Sequence, residues 1–179
     1  MIDIARGKEQ ERPLGITYQV ADAQMLSPPE AKYDVVTAFY LLNFAQTSEE
    51  LERMVRVIGE QLADGQHFYG TITNVCGDPT TYNNDKHRKY AFKREANFDA
   101  GPLQNGVEVK YTHFNDKEGT SFSYVTYYLS PETYEEAFRK AGFAHVKWVP
   151  MESDPNVEDR SFYDDFVQHA PAIGIIASK

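Results

Sequence analysis

The spacing of apolar residues along the chain changes period several times, and each change marks an element. Ile2, Ile4 and Ala5 on one side, with Arg6, Lys8, Glu9 and Glu11 on the other, predict a helix over 2–12 that Pro13-Leu14-Gly15 stops. Ile16-Thr-Tyr-Gln-Val20 predicts a short strand over 16–21, ending at Ala21-Asp22-Ala23. After the break at Ser27-Pro28-Pro29, residues 29–32 have room for at most one helical turn. Residues 33–39 are nearly all apolar after Asp34, the pattern of a strand covered on both faces. Thr47-Ser48-Glu49-Glu50 places a capping hydroxyl and first-turn acids ahead of Leu51, Met54, Val55, Ile58 and Leu62 at helical spacing. Asp64-Gly65 closes that helix, and a strand follows to Thr73.

Residues 75–105 are rich in Gly, Pro, Asn, Asp and Tyr and predict an irregular insertion with one helix near 84–94. Val107–Phe114 and Ser121–Leu129 alternate in period two around Asn115-Asp-Lys-Glu-Gly119, which predicts a β-hairpin. Ser130-Pro131-Glu132 starts a further helix whose inner face is Tyr134, Ala137, Phe138 and Ala141, with Gly142 as its stop. Ala144–Val149 predicts a strand, 158–169 a short helix and Ile173–Ala177 a last apolar strand. Helices and strands therefore alternate, which argues for a mainly parallel α/β sheet in a single domain, with residues 75–129 inserted as a cap.

Composition narrows the functions open to such a chain. Its 179 residues, 41% hydrophobic, suffice for one packed core and argue against disorder. The net charge of −9 and the lack of long basic runs disfavour nucleic acid as a partner. Arg88-Lys89 with Lys93-Arg94 is the only basic cluster and reads as a solvated face on the insertion. A single cysteine, Cys76, excludes an internal disulfide and reads as a buried small hydrophobe. No apolar run approaches the roughly 18 residues of a membrane span, so no membrane contact is expected and the cytoplasm is the default compartment. The five histidines show no metal-ligand spacing on a common face, and no metal is expected. His67 and His145 sit near strand starts, while His87 and His169 lie in polar settings. His113 is the candidate for proton transfer, because the hairpin can aim it into a cleft. Tyr82, Tyr90, Tyr111, Tyr124, Tyr127 and Tyr128 suggest a small, partly apolar acceptor, although half of any alternating hairpin merely packs.

Taken in order, these motifs resemble a class I S-adenosylmethionine-dependent methyltransferase. The helix Met1-Ile-Asp-Ile-Ala-Arg-Gly-Lys-Glu resembles the one after that family's second strand, and Ala21-Asp22-Ala23 its acidic motif after the third. Tyr33-Asp34-Val-Val-Thr-Ala-Phe39-Tyr-Leu-Leu is similar to the fourth strand and its loop, and Leu62-Ala-Asp-Gly65 to the lead-in to the fifth. Ser130-Pro-Glu-Thr-Tyr and Ala141-Gly142-Phe143 are similar to the final helix and its turn. The resemblance implies an incomplete Rossmann-like sheet, mainly parallel with an antiparallel last strand. It lacks the N-terminal glycine-rich cofactor turn, as though truncated.

The resemblance also implies S-adenosylmethionine as cofactor and a small molecule as methyl acceptor. Asp22 would accept from the adenine amino group, the backbone N–H of Ala23 would reach a ring nitrogen, and Phe39, Tyr40 and Leu41 would line the methionine end. The strand expected at 16–21 lies two positions from 33–39 in that family's sheet, so an unfilled gap would favour a homodimer or a strand-swapped oligomer. Two other readings stay open. One is a catalytically inactive binding or dimerisation module of this fold, and the other a different doubly wound protein in which 16–21 and 33–39 are direct neighbours.

Overall fold

The computed structural model describes residues 1–98 and 101–179; residues 99 and 100, within the expected insertion, lie outside the described residues. A four-stranded sheet runs in the order β1 (Tyr33–Phe39), β2 (Leu62–Thr73), β7 (Ala172–Ser178), β6 (His145–Val149). β1 and β2 are parallel, while β7 is antiparallel to both β2 and β6. Three strands thus share one direction and the last in sequence opposes them, as the resemblance implies.

Helix α2 (Ser48–Gln61) and helix α3 (Pro131–Lys140) cover one face of this sheet. Leu51, Val55 and Ile58 of α2 and Tyr134, Ala137 and Phe138 of α3 are buried with Phe68, Ile72 and Ile175 in the main core. The ring centroids of Phe68 and Phe138 lie 5.4 Å apart. The strands approach closely at Gly70, where a Cβ would come within 2.8 Å of the Phe68 ring and 3.0 Å of the Ala38 carbonyl oxygen. Both helices begin as the sequence predicts. Thr47 Oγ1 accepts from the Glu50 N–H at 3.3 Å, and Ser130 Oγ accepts from the Thr133 N–H at 3.3 Å, with Pro131 at the first helical position.

A second, three-stranded antiparallel sheet, in the order β3 (Phe92–Ala96), β4 (Glu108–Asn115), β5 (Thr120–Tyr127), contains the expected hairpin. Its period-two alternation directs Phe92, Arg94, Ala96, Val109, Tyr111, His113, Tyr124 and Thr126 to one face. That face carries a small core of its own, built on Tyr82, Phe92, Ala96, Leu103, Val109 and Tyr111. The helix expected near 84–94 is instead one 3₁₀ turn, Arg88–Tyr90, ended by Ala91 at φ +63 and followed by β3. Toward the C-terminus, another 3₁₀ turn, Arg160–Tyr163, leads into the short helix α4 (Asp164–Gln168).

The N-terminal segment departs most from expectation. Helix α1 (Ile2–Glu11) forms but buries no residue. The strand expected at 16–21 does not form: the segment has no ladder partner among the described residues, and Val20 is 80% exposed. Its start is held by side chains instead, with Glu9 Oε1 accepting the N–H groups of Leu14, Gly15 and Ile16 at 2.7–3.1 Å. Farther along, Arg6 donates to the Tyr18 carbonyl at 3.2 Å. β1 is consequently an edge strand. Only Ala38 of β1 is buried, and the face carrying Val35 and Phe39 is open, so the expected cover on both faces is absent among the described residues.

Candidate functional site

The main sheet and the three-stranded cap meet at the C-terminal ends of β1 and β2, where open α/β sheets place their ligands. A cavity of about 220 Å³ lies there. Tyr40 and Asn43 line it from the loop after β1, Thr73 from the end of β2, and Pro171 and Ala172 from the start of β7. Phe92, Tyr111, His113 and Tyr124 enter from the cap, and Phe166 from α4.

Tyr40 owes its position to an unfavourable backbone. Its φ is +54, a left-handed conformation costing a residue with a side chain about 1–3 kcal/mol. The bond from its N–H to the Thr71 carbonyl, 2.7 Å, holds it there. The next three residues, Leu42–Phe44, form a 3₁₀ turn that buries Leu42 and Asn43. Asn43 is 2% exposed, and its Oδ1 has no hydrogen-bond partner among the described residues.

On the cap side, Tyr111 donates to Thr73 Oγ1 at 3.1 Å, which ties the two sheets together. Tyr111 stacks on Tyr124 with centroids 5.4 Å apart, and the Tyr124 hydroxyl lies 3.3 Å from His113 Nε2. Burial pushes the His113 imidazole below its ordinary range, so it is neutral near pH 7. Burial, with the neighbouring Tyr111, pushes the Tyr40 and Tyr124 phenols up, so both remain protonated. Among the described residues no Asp, Glu, Lys or Arg lines the cavity. It can therefore hold a small, mostly apolar molecule, exclude water from it, and offer neutral hydrogen-bonding groups.

Behind the cavity wall the cap holds a second polar group of residues. Arg94 is 2% exposed, donates to Thr81 Oγ1 at 2.9 Å and lies 4.7 Å from the centre of the Tyr82 ring. It has no carboxylate partner among the described residues, and its Nε is unpartnered. His87, expected in a polar setting, is buried against Phe92, with ring centroids 4.8 Å apart, and its Nε2–H donates to the His169 carbonyl at 2.9 Å. Its pKa is pushed down to about 4, chiefly by burial and next by the Arg94 charge, against the opposing effect of that hydrogen bond. The basic cluster is only partly the solvated face expected: Arg88 pairs with Asp116 and Lys89 with Asp165 at the surface, while Arg94 turns inward. Cys76, expected in the core, is exposed.

Of the residues the sequence singles out, the fold brings Tyr40, Tyr111, His113 and Tyr124 into one cavity. Asp22, Ala23, Phe39 and Leu41 do not line it. Asp22 Oδ1 accepts from the Gln24 N–H at 2.8 Å in a local turn that its carbonyl also closes by accepting from Met25. That turn uses neither the Ala23 N–H nor the second carboxylate oxygen of Asp22. Phe39 is 66% exposed and Leu41 sits at the surface beside it. Sequence reasoning missed Asn43, Thr73, Phe92, Phe166, Pro171 and Ala172. A lone amide within the apolar run Leu41-Leu-Asn-Phe44 was the available signal for Asn43. Nothing in the sequence marked Phe166.

Residues 1–70 match a family model described as a methyltransferase domain. No curated protein matches the chain. Among solved structures, an S-adenosylmethionine-dependent methyltransferase from Clostridium acetobutylicum is 13% identical, with 98% of this chain and 70% of that one covered at a TM-score of 0.60. One from Mesorhizobium loti is 17% identical, with 98% and 75% covered at 0.61. CalS10, an amino pentose methyltransferase from Micromonospora echinaspora solved with S-adenosylmethionine bound, is 16% identical, with 99% and 71% covered at 0.56. The strand directions, the ligand crevice and these likenesses agree: the chain has the fold of the class I S-adenosylmethionine-dependent methyltransferases.

Proposed function

We propose that the protein is an S-adenosylmethionine-dependent methyltransferase acting on a small molecule, with residues 75–129 as the substrate-binding cap. The observation that carries this reading is the aromatic cavity at the strand ends, to which Tyr40 is committed at the cost of a left-handed backbone. Asp22 and Ala23 would hold the adenine, and Phe39, Tyr40 and Leu41 the remainder of the cofactor. When bound, S-adenosylmethionine supplies an electrophilic methyl group. The protein's own contribution is to orient the acceptor and keep it dry. His113, neutral and in contact with the Tyr124 hydroxyl, is the group in the cavity able to take a proton from the acceptor.

Isothermal titration of the chain with S-adenosylmethionine tests this. Saturable heat that Asp22→Ala weakens supports the reading, and no heat at millimolar cofactor overturns it. The open edge of β1, with Tyr33 at 54% and Val35 at 55% exposure, favours a second reading, a non-catalytic dimerisation module. Under that reading, sedimentation finds a dimer that Val35→Lys dissociates.

A further inference from the structure

The two ends of the cavity are built differently. At one end β5 meets the loop after β1, where the Phe44 and Tyr124 ring centroids lie 6.3 Å apart and Tyr40 lines the space. Under the proposed function the cofactor's methyl group arrives at this end. At the other end β3 meets α4, and the Phe166 ring stands edge-on to Phe92 with centroids 6.4 Å apart. Phe166 is half-buried, while the other residues of α4 are exposed.

A second cavity, of about 250 Å³, lies beside α4, bounded by Val157, Tyr163, Val167 and the polar residues Glu152, Ser153 and Asp154. Among the described residues that line the two spaces, Phe166 alone borders both, so it is the partition between them. One phenol holds that partition in place. The Tyr90 hydroxyl accepts from the Phe166 N–H at 3.1 Å and donates to the Phe162 carbonyl at 2.6 Å, and its ring meets the Phe166 ring edge to face at 5.0 Å. The neighbouring Lys89–Asp165 pair is solvent-exposed and adds little. Tyr90 itself does not line the cavity.

We infer that Phe166 determines specificity by setting the length of the acceptor, with Tyr90 as the residue that positions it. This rests on reading the cavity as the acceptor site. A compact acceptor of one ring fits between the Tyr40 end and Phe166. A longer rigid one meets the Phe166 ring and is held only by displacing it, which strains the packing around Tyr90 and Phe92. Shortening Phe166 joins the two spaces and removes that limit. Shortening Phe92 also enlarges the first cavity, but on the side of the cap, where it opens no way into the second.

The test uses the whole chain without cofactor and two neutral probes with the same head group: p-cresol, with one ring, and 4-phenylphenol, a rigid rod of two. Binding is followed by NMR through the ring resonances of His113 and Tyr124. The unaltered chain is expected to bind p-cresol at least about tenfold more tightly than 4-phenylphenol. Phe166→Ala is expected to reverse that order, and Tyr90→Phe to shift the ratio the same way by a smaller factor. Phe92→Ala is expected to leave p-cresol preferred. A loss of folded structure alone would weaken both probes together and leave their ratio unmoved. The inference is overturned if the unaltered chain binds 4-phenylphenol as tightly as p-cresol, or binds neither. It is also overturned if the ratio is unchanged in Phe166→Ala, or if Phe92→Ala reverses it equally. Should Phe166→Ala not fold, Phe166→Leu is read by the same ratio. The outcome is separable from the parent reading. A chain that ranks the probes as expected yet binds no S-adenosylmethionine loses the methyltransferase reading and keeps the length limit. A chain that binds the cofactor but takes both probes alike does the reverse.

Discussion

The two sheets are built on different terms. The four-stranded sheet and its helices bury a core of Leu, Val, Ile, Met, Phe and Ala side chains with one buried tyrosine, Tyr134, and its buried polar residues Asn43 and Thr73 both stand at the cavity. The cap buries Arg94, His87, Thr81 and Thr126 behind a thinner apolar layer. Its Tyr82 hydroxyl and Arg94 Nε lack hydrogen-bond partners among the described residues. One region largely follows the hydrophobic rules that specify a fold, with the unpartnered Asn43 Oδ1 and Tyr134 hydroxyl as exceptions. The other departs from them next to the site, where departures from those rules are expected to gather.

That contrast predicts unequal responses to loss of a large side chain. Phe68 is fully buried between β7 and α3, so Phe68→Ala should cost about 3–5 kcal/mol in urea denaturation, seen as a lowered midpoint at unchanged slope. Phe92 borders the cavity, where part of its surroundings is already empty, so Phe92→Ala should cost clearly less. Equal losses would mean that the cap is as tightly packed as the main core, and the contrast would fail.

Acid should find the cap before the main sheet. His87 has a native pKa of about 4, against an ordinary value near 6.5. A base with a lowered native pKa binds fewer protons folded than unfolded, so its contribution is intact above pH 6.5 and is lost as the pH falls toward 4. The full loss is on the order of 3 kcal/mol. His87→Gln, which can still donate to the His169 carbonyl, should flatten the stability profile between pH 6.5 and 4. An unchanged profile would place the acid sensitivity elsewhere.

The same contrast governed what the sequence could reveal. In the main sheet the signals were capping hydroxyls, helical spacing in α2 and α3, and the turn at Gly142; Asp64-Gly65, expected to close α2, instead lies inside β2, which starts at Leu62 directly after the helix. The main-sheet elements from β1 onward accordingly lie close to where the pattern put them. β3 was invisible because its inward positions read Phe92, Arg94, Ala96, and period-two reasoning does not put an arginine in a core. The strand expected at 16–21 failed for another reason. Local pattern shows that residues can extend, not that an edge awaits them, and here Glu9 takes the N–H groups at the start of the segment. His113 and Tyr40 were legible as chemistry placed by the hairpin and the strand end. Asn43 was not, because an unsatisfied amide is a property of its surroundings.

Arg94 offers a way to weaken the contrast by substitution. Its guanidinium is enclosed without a carboxylate among the described residues, and the bond to Thr81 and the Tyr82 ring compensate only part of its lost hydration. Arg94→Met fills similar volume without the charge and should raise stability by about 1–2 kcal/mol. Removing the charge should also move the His87 pKa upward by NMR titration, since Arg94 is the second cause of its depression. A destabilised Arg94→Met with an unmoved His87 would mean that the guanidinium serves the cap as a packed, hydrogen-bonded strut.

The smallest of these effects probes the end of the contrast where sequence and structure agree. Thr47 caps α2 by accepting from the Glu50 N–H, and Glu50 Oε2 reaches back to the Gln46 N–H at 2.7 Å, one residue beyond the usual reciprocal box. Thr47→Ala removes one of these bonds and leaves the other, so the loss should be about 1 kcal/mol, with Thr47→Ser restoring it. The cap sits at the surface, far from any packing change, so the whole effect should appear as a shift of the thermal midpoint. An alanine variant as stable as the parent would show that the Glu50–Gln46 closure fixes the start of the helix by itself. The Thr47 hydroxyl, the clearest N-terminal signal in the sequence, would then be redundant in the folded protein.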